Sequence, residues 1–270
     1  TLRADAGFPF VSSGGGVGPS ETLVGEAGVV VKFNSGSRYL DIFGTLDVQG
    51  TAAEPVVFTS IQADSVGGDT NGDGPSEGVP GQWRSLWFRA DAVGTLRHAI
   101  LRFGGNQGTF PQQYESALVN VSENAAVTIT DSELAHSLID GIRLRSGNVS
   151  FSIEDSNILA GGFGVRNFST TTYDAERNYW GASSGPFQPD PDPNDGIEEG
   201  NPDGQGVRVS DFVDYRPFRT SPFVINGAPT VMITSGPSGT TGDTTPTFSW
   251  DGDDPNGSIT SYTYELRSGS

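Results

Sequence analysis

The chain has 270 residues, a formal net charge of -18 and no cysteine, so a disulfide framework is excluded and one large unit plus a small second one is the expected organisation. With 15 Lys plus Arg and no basic run, it cannot displace the counterions of a nucleic-acid backbone, and cations are the better-matched partners. No stretch approaches the ~18 consecutive apolar residues of a membrane span, and residues 1–20 lack the charged start and apolar block of an export signal.

In chain order, residues 1–22, with Ser12, Ser13, Gly14, Gly15 and Gly16 together, read as a lead-in or linker. From Leu23 short apolar alternations follow one another: Val29, Val31 and Phe33; Leu46 and Val48; Val119 and Val121; Val127 and Ile129; Phe151 and Ile153. Gly, Asn, Asp and Ser separate them and helical spacing is nowhere sustained, which predicts an all-β unit over 23–222.

Internal repetition decides between a sandwich and a solenoid. VTITDSEL at 127–134 aligns with FSIEDSNI at 151–158 at a separation of 24, and DGIRL at 140–144 with FGVRN at 163–167 at a separation of 23. Gly141 then falls over Gly164 and Arg143 over Arg166. A repeat of this length holding several short strands suits a β-solenoid coil, which returns above its own start after one strand spacing of about 4.8 Å. Residues 27–181 would hold about seven such coils.

The segments GVVVKF, GTLDVQGTAAEPVVFTS, GQWRSLWF, GTLRHAILRFGG and RNYWGASSGP resemble the right-handed parallel β-helix repeat proteins of bacterial secreted and surface polypeptides, within the wider pectate-lyase-like solenoid group. The resemblance covers about 200 residues and is most specific at Trp180, Gly181, Gly185 and Pro186 and at VSDFVDYRPF, residues 209–218. It implies a final coil and a closing segment there, with an extracellular or cell-surface location. An open solenoid end exposes unpaired strand edges and an apolar cross-section. Tyr179, Trp180 and Phe187 are the residues expected to cover them, in preference to forming a sugar-stacking platform.

Residues 227–270 change texture and resemble the first strands of an immunoglobulin-like or fibronectin type III module, at Val231–Thr234, Thr247–Trp250 and Tyr262–Leu266. Such a sandwich needs about seven strands, so the expectation is a partial module of a longer polypeptide.

The sharpest local motif is Asp69-Thr-Asn71-Gly-Asp73-Gly74, with oxygen ligands at alternate positions and glycine at the tight turn, as in the first half of a calcium loop. The twelfth position is Pro80 where a helix-loop-helix site needs Glu, while Glu77 stands at the ninth. The expected ligands of a calcium-stapled loop are therefore Asp69, Asn71, Asp73 and Glu77, with Asp64 a further contributor. The competing reading is a solvated Asp/Asn/Gly turn within the insertion 62–82. A second acidic loop carries Asp190, Asp192, Asn194, Asp195, Glu198 and Glu199. Asp251, Asp253 and Asp254 read as an ordinary turn.

Catalytic constellations are sparse. The resemblance implies a basic residue for proton abstraction from a uronate, for which Arg143 and Arg166, with Arg84, Arg97 and Arg102 on earlier coils, are the only ladder. Arg is held in its charged form, and a solvated face beside Asp and Glu is the favoured account of these residues. Asp41 with Asp47, or Asp131 with Asp155, are carboxylate pairs of the kind glycoside hydrolysis uses, although the repeated Asp-Ser turn accounts for the second pair. His98 and His136 have no partner at metal-ligand spacing. A non-catalytic structural or adhesive module, calcium-stabilised and contacting polysaccharide or cell-surface glycan along its long face, is the leading expectation. A polysaccharide lyase or glycoside hydrolase acting along that face is the alternative.

Overall fold

A computed structural model describes residues 1–4, 8–34, 36, 39–106, 117–189, 200–225, 230–236 and 245–253. The described residues contain no α-helix. Two compact units are present, Thr1–Ile225 and Asn226–Ser270.

The first unit winds through three parallel sheets, taken A, B, C in each coil. Sheet A stacks Thr22–Glu26, Thr45–Gln49, Val93–Arg97, Ala126–Thr130, Ser150–Glu154, Tyr173–Asp174 and Val213–Asp214. Sheet B stacks Phe10–Ser12, Val30–Phe33, Val56–Ser60, Ala99–Arg102, Glu133–Ala135 and Asn157–Leu159. Sheet C stacks Gly15–Val17, Leu40–Ile42, Leu86–Phe88, Ala117–Val121, Asp140–Leu144 and Phe163–Asn167, then Gly206–Val209 and Pro186–Phe187. Every neighbouring pair in these sheets is parallel, as a β-helix requires. The period read from the repeats is the register observed where they were found: Val127 lies beside Phe151, Ile129 beside Ile153, and Arg143 beside Arg166. Elsewhere insertions lengthen the step, with Thr45 beside Val93 and Val93 beside Ala126, so sheet A has five strands within 27–181 and not the expected seven coils.

Alternation sends one side of each strand into a shared interior. Val48, Leu96, Ile129 and Ile153 form one fully buried column; Phe58, Leu101, Leu134 and Ile158 form another. Gly94 interrupts the adjacent column of sheet A because the ring of Phe88 fills its place. A Cβ there would stand 2.4 Å from that ring. Residues 1–22, a lead-in by composition, supply Phe10–Ser12 and Gly15–Val17 as the first strands of sheets B and C.

The turn from sheet A to sheet B is nearly identical in successive coils. His98, Asp131 and Asp155 turn the chain in the left-handed region, with φ of 45°, 53° and 49°. Beneath them runs a hydrogen-bond ladder: Ala99 N donates to Ser132 Oγ at 3.0 Å, Ser132 N to Ser156 Oγ at 3.0 Å, and Ser156 N to Asn178 Oδ1 at 2.9 Å. Each serine hydroxyl donates to a carbonyl two residues earlier, Thr130 and Glu154. Serine, and not the adjacent aspartate, therefore satisfies the turn; the Asp131 and Asp155 carboxylates face arginines outside.

The C-terminal end is closed by the final coil and the segment after it. Trp180 and Tyr215 are fully buried and meet edge-on at 6.5 Å, and Phe218 lies 6.4 Å beyond. Gly185, at φ 79°, has the Phe218 ring 2.6 Å from where a Cβ would stand. Of the three aromatics expected to cover this end, Trp180 does so with Tyr215 and Phe218, while Tyr179 and Phe187 stay half-buried. The chain is then strapped down: Arg177 N donates to Pro217 O at 2.6 Å, and the Asn157 amide exchanges two 2.8 Å bonds with the backbone of Phe223.

In the second unit, Thr230–Ser235 pairs antiparallel with Ser249–Asp253. Asp251 and Asp253 thus lie in a strand and not in a turn, and the predicted strand at 262–266 falls outside the described residues.

Candidate functional site

The longest connection, 61–85, leaves the coil between sheets B and C, where a segment can lengthen without breaking the strands of the ladders. The connection 61–85 carries the predicted acidic motif. Asp64, Asp69 and Asp73 converge, each offering a carboxylate oxygen within 4.8 Å of the others. The loop builds this itself. Asp69 accepts from Gly72 N at 2.7 Å and Gly74 N at 3.0 Å, and Asn71 Nδ2 donates to Asp73 Oδ2 at 2.8 Å. Asp64 Oδ2 accepts from both the backbone N and the hydroxyl of Ser76, at 2.7 and 3.0 Å. Its other oxygen, Oδ1, is buried without a hydrogen-bond partner. Glu77 is exposed and outside this carboxylate group, and Asn71 is engaged with Asp73.

Under the loop lies Lys32, fully buried, whose Nζ donates to Gly68 O at 2.5 Å. Burial pushes its pKa down, and the carboxylates of Asp64 and Asp69 pull in the opposite direction. Three carboxylates and one ammonium leave two negative charges. All-oxygen donors, an unsatisfied buried carboxylate oxygen and that residual charge fit a hard divalent cation. The same hydrogen bonds also hold the insertion down from within.

The outer face of sheet C is the second cluster. Asp41, Trp87, Asn120, Arg143 and Arg166 follow one another in register, one per coil. Guanidinium groups pack on its aromatic rings: Arg89 lies 3.3 Å over Trp87, with Arg145 at 5.8 Å and Arg84 at 5.9 Å, and Arg84 also reaches Tyr39. Towards the C-terminal end, Phe163 has Arg166 at 4.8 Å and Arg208 at 4.7 Å. Phe168, 53 % exposed, has Arg166 at 5.1 Å and Arg143 at 5.9 Å. Asp140 is fully buried, accepting from Arg143 Nε at 2.5 Å and Phe163 N at 3.1 Å, and lies 3.7 Å from Arg166.

The arginine ladder read from the sequence therefore divides. Arg84, Arg143 and Arg166 belong to this face, whereas Arg97 and Arg102 extend from sheets A and B to Asp131 and Glu133. Arg89, Arg145 and Arg208 join it without having been predicted; the legible signal was Trp87 two residues before Arg89, whereas Arg145 and Arg208 reach their rings from other strands. The proposed carboxylate pair also separates, since Asp41 is on sheet C with Arg89 and Asp47 on sheet A beside Gln49. His98 and His136 occupy different corners, and His136 stacks on Phe103 at 5.3 Å. The acidic residues 190–199 and Asp254 lie outside the described residues. No protein-family model, curated protein or solved structure matches the chain.

Proposed function

We propose that this chain is a non-catalytic structural or adhesive module of a large secreted or cell-surface bacterial protein, of the pectate-lyase-like β-helix kind, contacting polysaccharide along its outer surface. The observation that carries this reading is the stacking of parallel strands through three sheets, which makes a stiff scaffold with its longest connection between sheets B and C. A scaffold of this kind presents extended surface without needing an enclosed site. The second unit belongs to an immunoglobulin-like or fibronectin type III module, a reading supported by its antiparallel pair of strands.

Calcium is the proposed cation of the 61–85 insertion, held by Asp64, Asp69 and Asp73, where it neutralises the residual charge and engages the buried Asp64 Oδ1. Thermal melting with calcium and with chelator tests it. Calcium at 100 times its dissociation constant adds about 2.7 kcal/mol, and Asp69→Ala with Asp73→Ala abolishes the gain. Equal melting in calcium and chelator removes the metal.

A screen of acidic and neutral polysaccharides, following retention, unsaturated products and reducing ends, tests the module itself. Retention without cleavage is the expected result. Cleavage of any polymer establishes the lyase or hydrolase alternative, and retention by none removes the glycan contact.

A further inference from the structure

We propose that Asn71 is a site of spontaneous covalent conversion, deamidation through a cyclic imide formed with Gly72, and that the Asp69 carboxylate is the latch that holds it off. The proposal is independent of the calcium reading, since it concerns the loop with no cation bound. Asn71 and Asp73 are each followed by glycine, and both are exposed. In such a pair the glycine nitrogen can approach the preceding side-chain carbonyl carbon without the hindrance of a Cβ.

The chemistry balances with water as its only co-reactant. Gly72 N attacks Asn71 Cγ, a bond forms between them, and Nδ2 leaves as ammonia with the proton that Gly72 N gives up. Water then opens the ring. Addition at Cγ leaves aspartate at position 71 in an ordinary backbone, and addition at the main-chain carbonyl leaves an isoaspartyl linkage, longer by one carbon. Either product replaces by a carboxylate the amide that now donates to Asp73 Oδ2 at 2.8 Å. A hydrogen bond thereby becomes a repulsion between like charges, and the turn loses one of its ties.

In the folded loop the nucleophile is occupied. Gly72 N donates to Asp69 Oδ1 at 2.7 Å and Gly74 N to Asp69 Oδ2 at 3.0 Å, so one carboxylate holds both glycine amides of the motif. Both glycines stand in the left-handed region, at φ of 72° and 88°, which they adopt without strain. An amide whose proton is held by a carboxylate keeps that proton and its planar geometry, and attack on Asn71 Cγ requires it to give up both. A charge-assisted bond of this kind makes the open turn at least about tenfold rarer. The other ties of the insertion leave this latch alone: Ser76 bonds to Asp64, to the Gln62 carbonyl and, at 3.5 Å, to Asp73.

The full chain is aged in mildly alkaline buffer with chelator, both folded and unfolded in urea. The tryptic fragment 39–84, in which Asn71 is the only Asn, is then weighed for the exchange of ammonia for water. Folded wild type converts at least about tenfold more slowly than the unfolded chain. Asp69→Ala raises the folded rate at least about tenfold, and Ser76→Ala leaves it unchanged. Asp69→Asn, which keeps the shape of the side chain and removes its charge, replaces Asp69→Ala if that variant loses its cooperative melt. Equal rates in folded and unfolded wild type, an Asp69 variant as slow as wild type when folded, or an equal acceleration by Ser76→Ala overturns the assignment. Chelator is present throughout, so that failure leaves the calcium reading standing, and equal melting in calcium and chelator leaves this one standing.

Discussion

The two connections that flank sheet B obey different rules. From sheet A the chain turns in one or two residues at His98, Asp131 and Asp155, over a buried ladder of Ser132, Ser156 and Asn178. Towards sheet C it carries the insertion 61–85, held by Lys32, Ser76 and the aspartates. At the first corner each buried N–H must find an acceptor one coil away, so neighbouring coils must agree. At the second the ends of the insertion, Ile61 and Gly81–Ser85, bond to neighbouring coils, while the stretch between them is held by its own side chains and by Lys32, leaving its composition free for chemistry.

Breaking the repeating part is expected to have the largest effects. Ile153→Ala opens a cavity in a fully buried column and should cost about 2–5 kcal/mol in urea unfolding. Ser156→Ala removes the acceptor of the Ser132 amide and should cost about 1–3 kcal/mol, because that buried N–H is left unsatisfied. A loss as large from Ser76→Ala, within the insertion, would erase the distinction between the two connections.

Lys32 sharpens the comparison with the smallest effect. Its pKa in the folded chain lies below the usual 10.5, so the unfolded chain binds the proton more tightly. The resulting penalty is fully present below the folded-state pKa and fades as pH rises through 10.5. Wild type should therefore gain stability relative to Lys32→Met across that interval, read as the difference between their urea midpoints at each pH. A difference independent of pH would mean that the ammonium is not desolvated.

Much of the solenoid was readable because its constraint is local and repeated: matching side chains one period apart, such as Ile129 and Ile153, must share one interior. The insertion's chemistry was readable in part. Asp69 and Asp73 are brought together by a glycine turn within a few residues, but Asp64 reaches them from further back and Lys32 from a strand of an earlier coil, which no local spacing encodes. The role of Asp131 and Asp155 was misread for a similar reason, since in an Asp-Ser turn only the structure shows which side chain points inward to the neighbouring coil.

The amino-acid order alone pointed to an all-β unit, to a step of 23 or 24 residues between the coils at 127–144 and 150–167, and to apolar side chains in columns, because alternation and period are properties of the backbone that any strand inherits. Tertiary structure decided which side chains meet. Arg166 and Arg208 flank Phe163, and Tyr215 closes over Trp180, only because winding brings residues tens of positions apart onto adjacent coils.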